Sequence, residues 1–160
     1  QVLFDMKKDM NDLKKLVHEI MNGQHAEIHK DDVLYPSSIF ALVVAPTLEL
    51  AVQIHQQLGI FGQGINLRQA LVVGGLNYRS QYDQLDNYPH IVVATPGRLA
   101  ELLEKNEKLR EELGRTEVLV LDEADRLFEE SMLPNMQRIV KALPSLTQIL
   151  LATATIDDNF

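Results

Sequence analysis

The 160 residues contain no cysteine, which removes disulfides and thiolate metal sites from consideration. No run of eighteen apolar residues occurs and no signal-peptide pattern opens the chain, so neither a membrane span nor secretion is expected. Positive charge is scarce: 15 Lys and Arg stand against 23 Asp and Glu, giving a net charge of −8 and a pI near 5.0. Free-standing nucleic-acid modules usually carry the opposite balance, because phosphate neutralisation supplies most of their affinity. Any RNA or DNA contact is therefore expected to be local, or shared with another domain. The phosphate-wrapping pattern G-x-x-x-x-G-K-[S/T] is also missing from these residues. Lys30 is the only lysine between Gly23 and the first apolar strand, and Asp31 follows it rather than Ser or Thr.

What is present is a soluble globular composition, 46% apolar, of a length that suits one domain with a real core. An intracellular compartment fits. Met6, Met10, Leu13, Val17 and Ile20 recur at spacings of 4, 3, 4 and 3, which predicts a helix over 5–22 with Gly23 as its stop. Residues 23–38 read as a polar loop. His25 and His29 lie four apart in it, but no third metal ligand accompanies them.

From Ile39 onward, short apolar runs alternate with helical patterns. Ile39–Ala45, Ala70–Val73, His90–Ala94, Glu117–Leu121 and Gln148–Ala152 are the strand candidates. They are rich in Val, Leu and Ile and mostly do not alternate with polar residues, as strands buried on both faces require. Helices are expected at about 48–60, 77–86, 96–113 and 131–143. This alternation implies an α/β fold: a parallel sheet with right-handed crossovers and helices on both faces. Thr95 and Pro96 suit a helix start, Gly114 an end, and Glu101/Lys105 and Glu104/Lys108 suit i,i+4 pairs.

Val118-Leu119-Val120-Leu121-Asp122-Glu123-Ala124-Asp125 carries the most information. Four apolar residues run into carboxylates, as when a buried parallel strand delivers acids to the edge where ligands of open α/β folds bind. An Asp there can hold hydrated Mg²⁺, and a neighbouring Glu can polarise a water. Four further segments each follow a predicted strand: Pro46-Thr47, Gly74-Gly75, Thr95-Pro96-Gly97-Arg98 and Thr153-Ala154-Thr155. Singly, each reads as a turn or a helix start. Together they are expected to form one ridge of hydroxyls, glycine N–H groups and helix N-termini, with charge from Arg98. Such a ridge suits a phosphate backbone rather than base edges.

The order and spacing of these segments resemble the first RecA-like domain of DEAD-box RNA helicases. Asp122-Glu123-Ala124-Asp125 matches the name-giving motif, Ala45-Pro46-Thr47-Leu48-Glu49-Leu50-Ala51 resembles P-T-R-E-L-A, and Gly74-Gly75 matches the glycine pair. Thr95-Pro96-Gly97-Arg98-Leu99 matches T-P-G-R-L, and Thr153-Ala154-Thr155 resembles S-A-T. The resemblance covers residues 39–157. It implies a RecA-like, P-loop-NTPase-type sheet that lacks the phosphate-loop strand, with residues 1–38 as an N-terminal helix and loop and 39–160 as a partial helicase domain. It implies ATP and Mg²⁺ as cofactors, bound weakly or not at all by this chain alone, which is expected to be inactive as an ATPase. Asp122 would position Mg²⁺ through water, and Glu123 would orient the attacking water. Asp125 would hydrogen-bond toward Thr153 and Thr155, linking nucleotide state to domain closure. Pro46, Thr47, Glu49, Gly75, Thr95, Pro96, Gly97 and Arg98 would lie on the RNA path. The implied partners are RNA and a second RecA-like domain, in the nucleus, nucleolus or cytoplasm. Ile39–Ile54 also resembles members that act in ribosome assembly.

Three features depart from the family pattern: Leu48 stands where Arg is usual, Thr153 stands where Ser is usual, and the segment before Ile39 lacks both the adenine-reading Gln motif and the phosphate loop. Two other readings accompany the helicase one: an RNA- or protein-binding remnant without ATPase function, and a structural α/β domain with coincidental motifs. In RecA-like domains the phosphate-loop strand lies beside the strand ending in S-A-T. Gln148–Ala152 is therefore expected to be an apolar sheet edge, either covered by another segment, with Gln1–Phe4 and the following helix the nearest candidates, or paired with a second chain.

Overall fold

The computed structural model describes residues 39–154. The helix expected at 5–22, the loop at 23–38 and Thr155 lie outside them. Five strands alternate with helices: β1 (Ala41–Val44), α1 (Leu48–Phe61), β2 (Gln69–Val72), α2 (Tyr78–Asp86), β3 (Ile91–Ala94), α3 (Pro96–Lys105), α4 (Glu107–Leu113), β4 (Val118–Leu121), α5 (Ala124–Leu127), α6 (Leu133–Lys141) and β5 (Gln148–Leu151). All pairings are parallel, and the spatial order is β2-β3-β1-β4-β5.

Period-2 geometry sends alternate strand residues to opposite faces. On one face Leu42, Val44, Val72, Val92, Leu119 and Leu121 pack with side chains of α2 to α6, including Leu99, Leu102, Leu113, Leu127 and Ile139. On the other, Ala41, Val43, Leu71, Val73, Ile91 and Val93 pack under α1 through Ala51 and Leu58. Both faces of β1, β3 and most of β2 are buried, which explains why those runs carry no polar alternation. Truncating a fully buried side chain such as Leu119 to Ala would cost about 2–5 kcal/mol.

The expected helix over 96–113 is two helices. Asn106 has extended backbone (φ −126°, ψ 101°), so it closes α3 and caps α4, its Oδ1 accepting the Leu109 N–H at 3.0 Å. Arg110 donates to the carbonyls of Leu103 (2.7 Å) and Glu104 (3.2 Å), satisfying groups that the break leaves open. The break also reassigns ion pairs. Glu101–Lys105 forms as expected at 2.7 Å, but Glu104 reaches Arg138 on α6. Lys108 pairs with Asp86 at 3.1 Å instead. The last expected helix is shorter, 133–141, and α5 was not anticipated.

Among the described residues β5 is an outer strand, as expected. Three of its four residues are exposed, and Ile149 retains 53% of its surface.

Candidate functional site

In a parallel sheet all strand C-termini share one edge. Inter-strand hydrogen bonds continue past the strand ends and hold the following loops in register: Thr95 N to Val72 O (3.0 Å), Ala45 N to Ala94 O (2.9 Å), Asp122 N to Val44 O (3.0 Å) and Ala152 N to Leu121 O (2.8 Å). Strand order then sorts the motifs spatially. Gly74-Gly75, Thr95–Arg98 and Pro46-Thr47 follow the neighbouring strands β2, β3 and β1; Asp122–Asp125 and Thr153 follow β4 and β5. The edge therefore has a hydroxyl-and-glycine half and a carboxylate half.

In the first half, Thr47 caps α1 by accepting the Leu50 N–H at 3.3 Å, with Glu49 exposed in the first turn. Thr95 differs from expectation. Its hydroxyl does not cap α3 but accepts the N–H of Gly74 from the next loop at 3.3 Å. Pro46 and Pro96 are buried. Gly75 has φ +81°, a conformation that disfavours side chains. Gly74 does not, and among the described residues a Cβ there would meet nothing within 4 Å. Gly97 is exposed, and a Cβ on it would touch only Asn135 at 4.0 Å. Neither Gly74 nor Gly97 is therefore demanded by internal packing. Leu48, at the usual Arg position, comes within 4.0 Å of where a Gly75 Cβ would sit.

Arg98 does not project free charge, contrary to expectation. Its guanidinium lies 3.8 Å from the Tyr78 ring centroid, donates to the Leu76 carbonyl at 3.1 Å and pairs with Glu101 at 3.5 Å. Only 9% of its side-chain surface stays exposed. Charge-balancing and stacking groups claimed it, and the motif pattern alone did not reveal them.

Gln81 was missed altogether. It is buried, accepts the Val73 N–H (3.2 Å) and donates to the carbonyls of Val73 (2.9 Å) and Leu76 (3.3 Å). Its amide thus serves as a template for the glycine loop. The available signal was a polar residue at a core position, one turn before Leu85 on the buried face of α2.

In the second half, Asp122 is partly buried at the end of β4, and burial pushes its carboxyl pKa up. The Glu123 N–H, donating to Oδ1 at 2.9 Å, partly offsets this, while the Glu123 charge adds to the rise. Glu123 adopts a left-handed conformation (φ 47°, ψ 54°) and pairs with Arg126 at 3.0 Å. The Ala124 N–H donates to the Ala152 carbonyl at 2.9 Å. That bond fastens the segment bearing Asp125 to the one bearing Thr153.

A family model described as DEAD/DEAH box helicase matches residues 10–160. The chain is 45% identical over 126 residues to the ATP-dependent RNA helicase dbp8 of Schizosaccharomyces pombe, covering 77% of this chain and 28% of that protein. It is 46% identical over 122 residues to the ATP-dependent rRNA helicase RRP3 of Encephalitozoon cuniculi, covering 76% and 30%. The chain thus spans under a third of the length of these relatives. Among solved structures it resembles the DEAD-box helicase Mss116 bound to ssRNA and UDP-BeF, with a TM-score of 0.70 and 28% identity over 83% of this chain and 28% of that one. A DEAD box protein from Methanococcus jannaschii gives a TM-score of 0.67 at 28% identity over 77% and 33%.

Proposed function

Because the chain belongs to the DEAD/DEAH box helicase family, we propose that it serves as the first RecA-like domain of an ATP-dependent RNA helicase. It binds the RNA backbone along the β2-β3-β1 half of the edge and contributes to ATP hydrolysis from the β4-β5 half. The observation that carries the RNA assignment is a pair of glycines with open space beside them: among the described residues a Cβ on Gly74 would meet nothing within 4 Å, and one on Gly97 only Asn135 at 4.0 Å. Close backbone approach by a ligand is a physical reason to keep such room. Exposed glycine backbone and the threonine hydroxyls suit a phosphate backbone, and no base-edge reader is needed. Thr47, Glu49, Gly75, Thr95 and Gly97 line the path, while Pro46, Pro96 and Arg98 shape it.

In the nucleotide half, Asp122 fits a hydrated cation. One carboxylate oxygen is held by the Glu123 N–H, and the other has no hydrogen-bond partner among the described residues. No group of three or more His, Cys, Asp or Glu that could hold a metal occurs among those residues, so Mg²⁺ would arrive with the nucleotide phosphates. Bound Mg²⁺ supplies neutralisation of charge on the phosphoryl oxygens. Glu123 orients the attacking water, held for that task by its fixed backbone turn. Asp125 and Thr153 couple the nucleotide half to closure against a second RecA-like domain. These 160 residues contain no phosphate loop, and positioning is nearly all of phosphoryl-transfer catalysis; alone they should release no phosphate from ATP. The rRNA helicases among the relatives support a role in ribosome assembly, in the nucleus, nucleolus or cytoplasm.

Gly74→Ala tests the RNA assignment. The fold has space for the methyl group, so thermal stability should hold or rise slightly. Affinity for a single-stranded oligouridylate should fall severalfold. Unchanged affinity would remove Gly74 from the path.

A further inference from the structure

Gly74–Leu76 is supported from two sides. Gln81 holds its two ends, accepting from the Val73 N–H and donating to the Leu76 carbonyl, and the Thr95 hydroxyl, just past β3, accepts the Gly74 N–H. A third support comes from α3 and is built on Tyr78, a residue outside every matched motif. Its ring lies under the Arg98 guanidinium at 3.8 Å from centroid to Cζ. Its hydroxyl donates to Glu101, and Glu101 also pairs with Arg98 at 3.5 Å and with Lys105 at 2.7 Å. Arg98 in turn donates to the Leu76 carbonyl at 3.1 Å. The ring therefore fixes one face of the guanidinium, the carboxylate its Nε edge, and the loop carbonyl receives Nη1. Planar stacking combined with directed hydrogen bonding is the geometry that suits Arg and not Lys.

We propose that Tyr78 is a positioning residue for RNA binding: it holds Arg98 as a strut between α3 and the Gly74–Leu76 loop, fixing the loop before RNA arrives. This rests on the RNA assignment above and adds a residue and a division of labour to it. Arg98 then acts through the loop rather than as a phosphate ligand, its charge being met by Glu101.

Two measurements on the 160-residue chain separate the possibilities. The first needs no RNA: amide hydrogen exchange of Gly74, Gly75 and Leu76 in Tyr78→Ala, Tyr78→Phe and Arg98→Ala. Alanine at either position should speed exchange at those amides by roughly three- to tenfold, the scale of one cation–π contact. Tyr78→Phe, which keeps the ring, should stay near the parent rate. Parent-like rates in both alanine variants overturn the strut, and so does acceleration spread across β1 to β4, which would mean general support of the fold.

The second is the salt dependence of oligouridylate binding. The strut predicts that Tyr78→Ala and Arg98→Ala each weaken binding severalfold at unchanged slope, with the double variant no weaker than the worse single one. A direct phosphate contact would instead lower the slope by about 0.7 in Arg98→Ala alone, which overturns the proposal. If the parent chain binds no oligouridylate, the RNA assignment fails while the exchange experiment still decides the strut.

Discussion

Glu123 holds a left-handed backbone conformation (φ 47°, ψ 54°) between β4 and α5, which an L-residue adopts at a cost of about 1–2 kcal/mol. Replacing it with Gly removes that strain but returns about 0.4–1 kcal/mol of chain entropy to the unfolded state. The net is a gain of about 0.8 kcal/mol. Glu123→Gly also loses the ion pair with Arg126, a half-exposed contact of small value. Glu123→Gln loses the same charge and keeps the Cβ, so the difference between the two variants isolates the backbone term. For a chain of this length the gain corresponds to about 2–3 °C in Tm. Urea and thermal unfolding followed by circular dichroism, with m-values compared, would measure it. A Gly variant less stable than the Gln variant would refute the strain argument. If Glu123 orients the attacking water as proposed above, the same variant should abolish hydrolysis in a complete helicase.

Asp122→Asn should stabilise the domain near neutral pH, because burial raises the Asp122 pKa above its ordinary 3.8. A raised carboxyl pKa favours folding fully below the unfolded value, and that advantage is lost as pH rises through the folded value. The advantage of Asn should therefore be full at pH 7 and shrink on acidification through the folded pKa, as thermal melts between pH 7 and 4 would reveal; a pH-independent difference would contradict the cause assigned. Leu48→Arg, which restores the usual family residue beside Gly75, should tighten oligouridylate binding by about 1 kcal/mol, the scale of one charge-assisted contact; a titration without gain would move Leu48 off the path. Ile149→Lys should reduce self-association of the chain, since a charge on an outer strand blunts edge pairing; equal sedimentation of both proteins at matched concentration would show that β5 is not the sticky surface.

Strands and their parallel arrangement were legible because burial on both faces leaves a simple mark, short runs such as Ala41–Val44 and Ile91–Ala94 without polar residues. Their common edge followed from the βα alternation, and with it the gathering of Pro46, Gly74, Thr95, Asp122 and Thr153. What the pattern could not supply was decided by particular side-chain partners, some local and some distant in the chain. Asn106 sits in a stretch that scores as helix throughout, and the break depends on side chains of Asn106 and Arg110 capping freed groups. Arg98 reads as ligand charge until Tyr78 and Glu101 are brought beside it. Thr95 reads as a helix cap until Gly74 arrives from another strand. Gln81 is a core residue by position and polar by type, and only the loop above it explains the combination.

The central claim is that RNA runs over the C-terminal ends of β2, β3 and β1. Photocrosslinking of this chain to a 4-thiouridine oligonucleotide, with adducts located by peptide mass spectrometry, tests it most directly. The account predicts adducts within Pro46–Glu49, Gly74–Tyr78 and Thr95–Arg98, reduced severalfold at subsaturating RNA by Gly74→Ala. Adducts concentrated at the opposite end of the sheet, around Arg68, His90 and Arg115, would contradict it.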